Sequence, residues 1–297
     1  MVEFRSIGPA RHNAEMTNAA PLFAPDSAIR RVGGESALLF AGGRALLMQV
    51  AHPLVAAGVA EHSGFTYDPW RRLARTMKAL YGIVYGTADD AERIGRGVRA
   101  GHAHVHGVLR EPVGRYPAGT PYRADDAELL LWVHATLVDT ALEVHERFVG
   151  PLSRDERGAF HDDMRVVGEV FGVPRSALPA TYDAFEAYVG GVLESDVLAV
   201  GADARAIARA LLDPPLPLPL RPTAMAVAQI TTVLLPEPFP ALYGLRAGRS
   251  QQALTRASAA IARQVVPWAP SAVRFVGPSG RRTRPGLALR VLDAMAR

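Results

Sequence analysis

Residues 35 to 60, "ESALLFAGGRALLMQVAHPLVAAGVA", are apolar on nearly every side of a helix. A helix with no polar face cannot sit on a surface, so it must lie at the centre of a larger helical assembly. Pro53 lacks a backbone donor and should kink or divide this helix near His52. Gly42 and Gly43 permit a close helix contact or a break. The most membrane-like part, residues 45 to 60, is too short for a comfortable span and contains Gln49, His52 and Pro53. A buried core helix, and no integral membrane span, is the expectation.

The rest of the chain repeats the helical signal. Asp68 and Pro69 suit an N-cap and first helical position, followed by the stripe Trp70, Leu73, Met77, Leu80 and Val84. Asp89 or Asp90 can cap a next helix that carries His102, His104 and His106. Beyond the loop "EPVGRYPAGTPYRADD", Asp125 and Glu128 form a plausible capping box for a helix reaching Phe148. Further helices are predicted at about 153–171, 180–198, 203–212, 223–235, 250–265 and 285–296. No convincing β-alternation appears. The prediction is all-α: an irregular leader over 1–26, then one large helical domain over 27–297. The stiff "DPPLPLPLRP" at 213–222 makes a crossover inside that domain.

The 297 residues include no cysteine, which excludes disulfides, thiolate-bound zinc, iron–sulfur clusters and covalent haem attachment. That fits a reducing cytosol. The N-terminus has no apolar h-region, so a secretory signal is not expected and a cytoplasmic location is. The net charge is +4, and the basic residues, nearly all arginine, read as scattered among acidic ones. No basic stripe interleaved with aromatics is visible, which argues against a nucleic-acid partner.

Helical spacing separates the three clustered histidines. His102 shares a face with Ala91, Ile94, Val98, Val105 and Leu109; His106 lies at its edge and His104 points away. A core-facing His102 can be a locally bonded core histidine, half of a zinc or iron pair with His106, or an axial haem ligand. The chain has no HExxH and no Glu-x-x-His pair, which weakens the metal-pair and di-iron readings. His134 in "LLLWVHATLVDT" and His52 in "QVAHPLV" sit in similarly apolar settings, where core histidine is the default and convergence on one site the alternative. Arg72 and Thr76, four apart, share a face that continues into Ala79 and Ile83. That pair is either a solvated arginine beside a threonine or a pair covered by something apolar. No GxSxG, Walker A or strand-linked GxGxxG motif is present.

Taken together, "GGRALLMQVAHPLVAAGVAEHSGFTYDPWRRLARTMKALYGIVYG", "RAGHAHVHG", "YRADDAELLLWVHATLVDT" and "LLPEPFPALYGL" resemble, in order, the rubber oxygenase (latex clearing protein) and mycophenolic-acid-pathway oxygenase superfamily. The resemblance covers about residues 30 to 250. It implies an all-α fold holding non-covalent haem b, with oxygenase chemistry on an apolar small molecule and dioxygen. The family pattern places the proximal histidine at His102, and a distal Arg-x-x-Lys-Thr set at Arg72, Arg75 and Thr76. In this chain the lysine position holds Arg75, whose guanidinium stays protonated and is a poor metal ligand. The distal position is then open, water-bound or filled by another group, with His52 and His134 as candidates. The reading from sequence is a haem-dependent oxygenase, against two rivals: a haem- or apolar-ligand-binding protein without turnover, and a helical protein with no cofactor.

Overall fold

The computed structural model describes residues 20–62, 69–213, 218, 221–246, 248–270 and 274–275; the side chains of 39–41, 69–74 and 222–224 are outside that description. The leader up to residue 19, Asp68, most of the proline-rich crossover and the helix expected at 285–296 therefore lie outside the described residues.

A 3-10 turn, Ser36–Phe40, follows α1 (Ala28–Gly33) and leads into α2 (Ala41–Val50). Then come α3 (Pro53–His62), α4 (Pro69–Tyr85), α5 (Ala88–Ala103), β1 (His106–Val108), β2 (Pro121–Arg123), α6 (Ala127–Phe148) and α7 (Arg154–Phe171). The order closes with α8 (Tyr182–Glu194), α9 (Ala202–Leu212), α10 (Arg221–Leu234), α11 (Phe239–Tyr243), α12 (Arg249–Val265) and a 3-10 turn, Val266–Trp268. Among the described residues the fold is all-α apart from β1 and β2, an antiparallel pair that registers Gly107 with Tyr122.

The long apolar stretch breaks where Pro53 demands it, with α3 turning 112° away from the segment ending at Val50. Leu47, Met48, Val50 and Ala51 are fully buried at this corner. They join α9, α11 and Trp132 in one core. A second core gathers α1, α4, α6, α7 and α8 around Ile83, Val138, Phe160 and Val167. Helix α6 belongs to both and is buried on nearly all sides, as its apolar sequence requires. Among the described residues no single helix is long and apolar enough to cross a membrane. The bent pair around Pro53 has the composition, but it forms the core.

Three local expectations need correction. The N-cap of α5 is Thr87, not Asp89 or Asp90; Asp90 is the reciprocal partner of the capping box. The N-cap of α6 is Asp126, whose carboxylate accepts from the N–H groups of Glu128 and Leu129, while Asp125 is paired with Arg123. The three histidines do not share a helix. Helix α5 ends at Ala103, His104 is its C-cap, and His106 begins β1. The reason lies in the following loop: Ala124 N–H donates to Val105 O and Leu109 N–H to Thr120 O, so chain returning from 119–124 captures the backbone beyond His104 as a strand.

Two arginines, one buried and one half-buried, hold the assembly. Arg44 of α2 donates to Leu234 O of α10 (2.8 Å) and to Thr140 Oγ1 (2.6 Å) and Asp139 Oδ2 (2.7 Å) of α6. Beside it, Gly43 lets α10 approach: a Cβ there would lie 2.5 Å from Thr231 Oγ1. Arg274 forks onto Glu35, only 2% exposed, through contacts of 2.6 to 3.1 Å.

Candidate active site

A cavity of about 720 Å³ opens where α2, α3, α4, α5 and α6 converge. That is the size of site that takes a cofactor or drug-sized ligand. Its walls are mainly aliphatic, including Leu46, Leu54, Val55, Val98, Leu129, Leu137 and Leu211. A few polar side chains interrupt them: Gln49, His62, Arg75, Thr76, His102, Tyr122 and His134.

The α5 wall has a defined relief. Ile94, Gly97, Val98, Gly101 and His102 line the cavity from one face of α5, and Val105 joins them just past the helix end. A Cβ built on Gly97 or Gly101 would meet nothing within 4 Å. The two glycines thus leave a flat shelf one turn apart, ending at the half-buried His102 in the last helical turn.

His134 enters from α6 and is 5% exposed. Its Nδ1 has no hydrogen-bond partner. The ring fits because residue 168 of α7 is glycine: a Cβ there would lie 3.2 Å from His134 Cε1 and 3.3 Å from Nδ1. Burial, and secondarily the neighbouring His161, pushes the His134 pKa down to about 4. The imidazole is neutral at physiological pH and able to act as a ligand or an acceptor.

His52 does not reach the cavity. Leu54 N–H donates to its Nδ1 (3.3 Å), which puts the proton on Nε2 to face Tyr116 Oη at 3.2 Å. Both ring nitrogens are used, and burial, with a smaller effect of Arg115, takes its pKa to about 4. Arg75 and Thr76 of α4 reach the cavity wall. Arg72 lies on α4 one turn before Thr76, with its side chain outside the description.

The depressed histidines have a consequence for stability. Unfolded histidines with pKa 6.5 take up protons more readily than His52 or His134 with pKa about 4. Acid therefore favours the unfolded chain: stability is full above about pH 6.5 and falls as pH drops toward 4, by about 1.4 kcal/mol per pH unit per histidine. Denaturant melts across that window should show a falling midpoint, with a shallower fall in His134→Gln. A flat midpoint would contradict the burial of these rings.

Sequence reasoning missed several wall residues. Gly97 and Gly101 leave a legible trace, a Gly-x-x-x-Gly step beside the singled-out histidine. Tyr122 and His62 leave none, because they meet only through the β-ribbon. Tyr122 Oη donates to Glu61 Oε2 and sits 3.3 Å from His62 Nε2, while Arg110 Nε binds Glu61 Oε1 at 2.8 Å. Among the described residues no three His, Cys, Asp or Glu side chains converge to hold a metal ion. An axial haem ligand needs no such cluster.

The ER-bound oxygenase mpaB/B'/rubber oxygenase catalytic-domain family has a model that matches residues 29–264. The chain belongs to this family. Comparison with curated proteins gives no match, and comparison with solved structures gives none. Membership in the mpaB/rubber oxygenase family makes the matched region an oxygenase catalytic domain. Residues 29–264 contain α2 to α6 and so the whole described wall of the cavity.

Proposed function

We propose that this chain is a haem-b-dependent oxygenase acting on an apolar small molecule with dioxygen, and that His102 is the proximal ligand. The observation that carries the reading is the α5 wall: a histidine at the end of a two-glycine shelf, facing a cofactor-sized aliphatic cavity. A flat apolar macrocycle fits such a shelf, and a side chain at position 97 or 101 would stand in its way. Bound there, haem supplies redox chemistry toward dioxygen that no side chain can provide.

The chain's own groups have separable tasks in this reading. His102 presents a ring nitrogen to the metal from a helix end. Arg75, a planar cation at the wall, suits a haem propionate. Thr76 offers a hydroxyl beside it. Arg72 stands in the same proposed set through its match to the family pattern. The aliphatic wall excludes water and accepts an apolar substrate. Neutral His134 favours a second reading, since it lines the same cavity and would offer the metal a second imidazole, which would suit haem binding without turnover.

Titration of the purified protein with haemin tests the proposal. A Soret band should grow and saturate at one haem per chain, and carbon monoxide should shift the band of the reduced form. A reduced form indifferent to carbon monoxide would favour the closed, non-catalytic reading. No saturable band would remove haem and leave the oxygenase assignment with another cofactor or none.

A further inference from the structure

Helices α2, α3, α5 and α6 each turn one face to the cavity, and each of those faces carries a single polar side chain. On α2 the face is Gly42, Ala45, Leu46 and Gln49, at steps of three, four and seven from the first. The polar member on α3 is His62, on α5 His102 and on α6 His134. The histidines all have an occupation. His102 and His134 are the candidate metal ligands, and His62 Nε2 lies 3.2 Å from His106 O and 3.3 Å from Tyr122 Oη.

Gln49 has none. Its backbone carbonyl accepts from His52 N–H, but its side-chain amide has no hydrogen-bond partner among the described residues. The side chain is half-buried on the cavity wall. An amide offers two donors and an acceptor, and in an aliphatic wall such a group orients whatever fills the space. A ligand that covers it without bonding it strips its water and returns nothing. Its wall is also separate from the α5 shelf: α2 packs on α3, α6, α9 and α10, whereas α5 packs on α4 and α7.

Charge narrows the ligand. The one cation of α2, Arg44, is turned to α6 and α10, where it bonds Asp139, Thr140 and Leu234 O. A carboxylate or ammonium against the α2 wall would lose its hydration and gain no opposite charge there. A neutral oxygen would gain the amide.

We propose that Gln49 is the specificity residue of this cavity, and that the substrate is an apolar molecule bearing one neutral oxygen function, a hydroxyl or a carbonyl. The Gln49 amide bonds that oxygen, and the hydrocarbon body fills the aliphatic remainder. This rests on the oxygenase reading above and adds the polar handle by which an apolar substrate is oriented.

Equilibrium dialysis of the haem-loaded chain against radiolabelled octanol, octanone, octane and octanoate tests this, with Gln49→Met alongside. Burial alone favours octane, because an unpaired hydroxyl or carbonyl is costly to desolvate. A preference for octanol or octanone therefore reports a hydrogen bond. One or both should bind the parent about tenfold more tightly than octane and octanoate. Gln49→Met keeps the length of the side chain and its helix propensity, and should abolish that preference. Retained octane binding checks that the cavity of the variant is intact. Failure of both oxygenated ligands to outbind octane and octanoate, or a preference that survives in Gln49→Met, would overturn the proposal. So would a Soret band displaced by Gln49→Met in the absence of these ligands, which would put the amide on the haem. The same dialysis with the haem-free chain keeps the two readings apart: if haemin is not taken up, the haem assignment falls, while the ratio of octanol to octane still measures Gln49.

Discussion

His102→Ala should lower haem affinity by more than about a hundredfold. Perturbing a neighbour that merely orients a metal ligand costs 10- to 100-fold, and here the proposed ligand itself is removed. The half-buried side chain sits in the last turn of α5 at the edge of a cavity, so its truncation enlarges a space without breaking the packed cores. The melting temperature of the haem-free variant should therefore stay near that of the haem-free parent. Added imidazole, small enough to enter the vacated space, should restore much of the Soret band. His134→Ala makes the sharpest comparison, because its ring lines the same cavity from α6. If His102→Ala leaves the band unchanged and His134→Ala abolishes it, the axial role passes to His134.

Arg44→Ala is expected to destabilise the fold by about 3–5 kcal/mol, the usual cost of breaking a buried charge network from one side. Arg44 is 3% exposed, and its loss leaves Thr140 Oγ1 and Leu234 O without their strongest donor. Asp139 is about one-third exposed, so its share of the penalty is softened by water. Asp139→Asn should cost correspondingly less, near 1 kcal/mol. Denaturant midpoints at unchanged slope would measure both. A loss below about 1 kcal/mol for Arg44→Ala would mean that the guanidinium contributes little to holding α2, α6 and α10 together. Because α2 supplies Ala45, Leu46 and Gln49 to the cavity wall, weaker haem uptake should accompany the lost stability.

The helices were legible in the sequence because burial and period dictate them locally. The apolar stretch before Pro53 had to be buried, and α6 had to be central, since neither offers water a face. Their ends were less legible. Thr87 and Asp126 compete with nearby acids for the same capping role, and small differences in backbone geometry decide between them. That His102 faces inward followed from helical spacing, although Val105 and Leu109 of that face lie past the end of α5. The exclusion of His52 did not, because its partner Tyr116 comes from a loop 64 residues away.

What the sequence determined by itself, then, is the class of fold, the kinked central helix, the family pattern and the histidine on the apolar face of α5. All of these depend on patterns spanning a few turns of helix. Tertiary structure alone decided where α5 stops, because the strand pairing beyond His104 comes from residues across the loop. It alone brought α2 to α6 around one cavity, gave His134 its place against Gly168, and joined Arg44 to Asp139 and Thr140. Those contacts are set by packing between distant segments, and no local period records them.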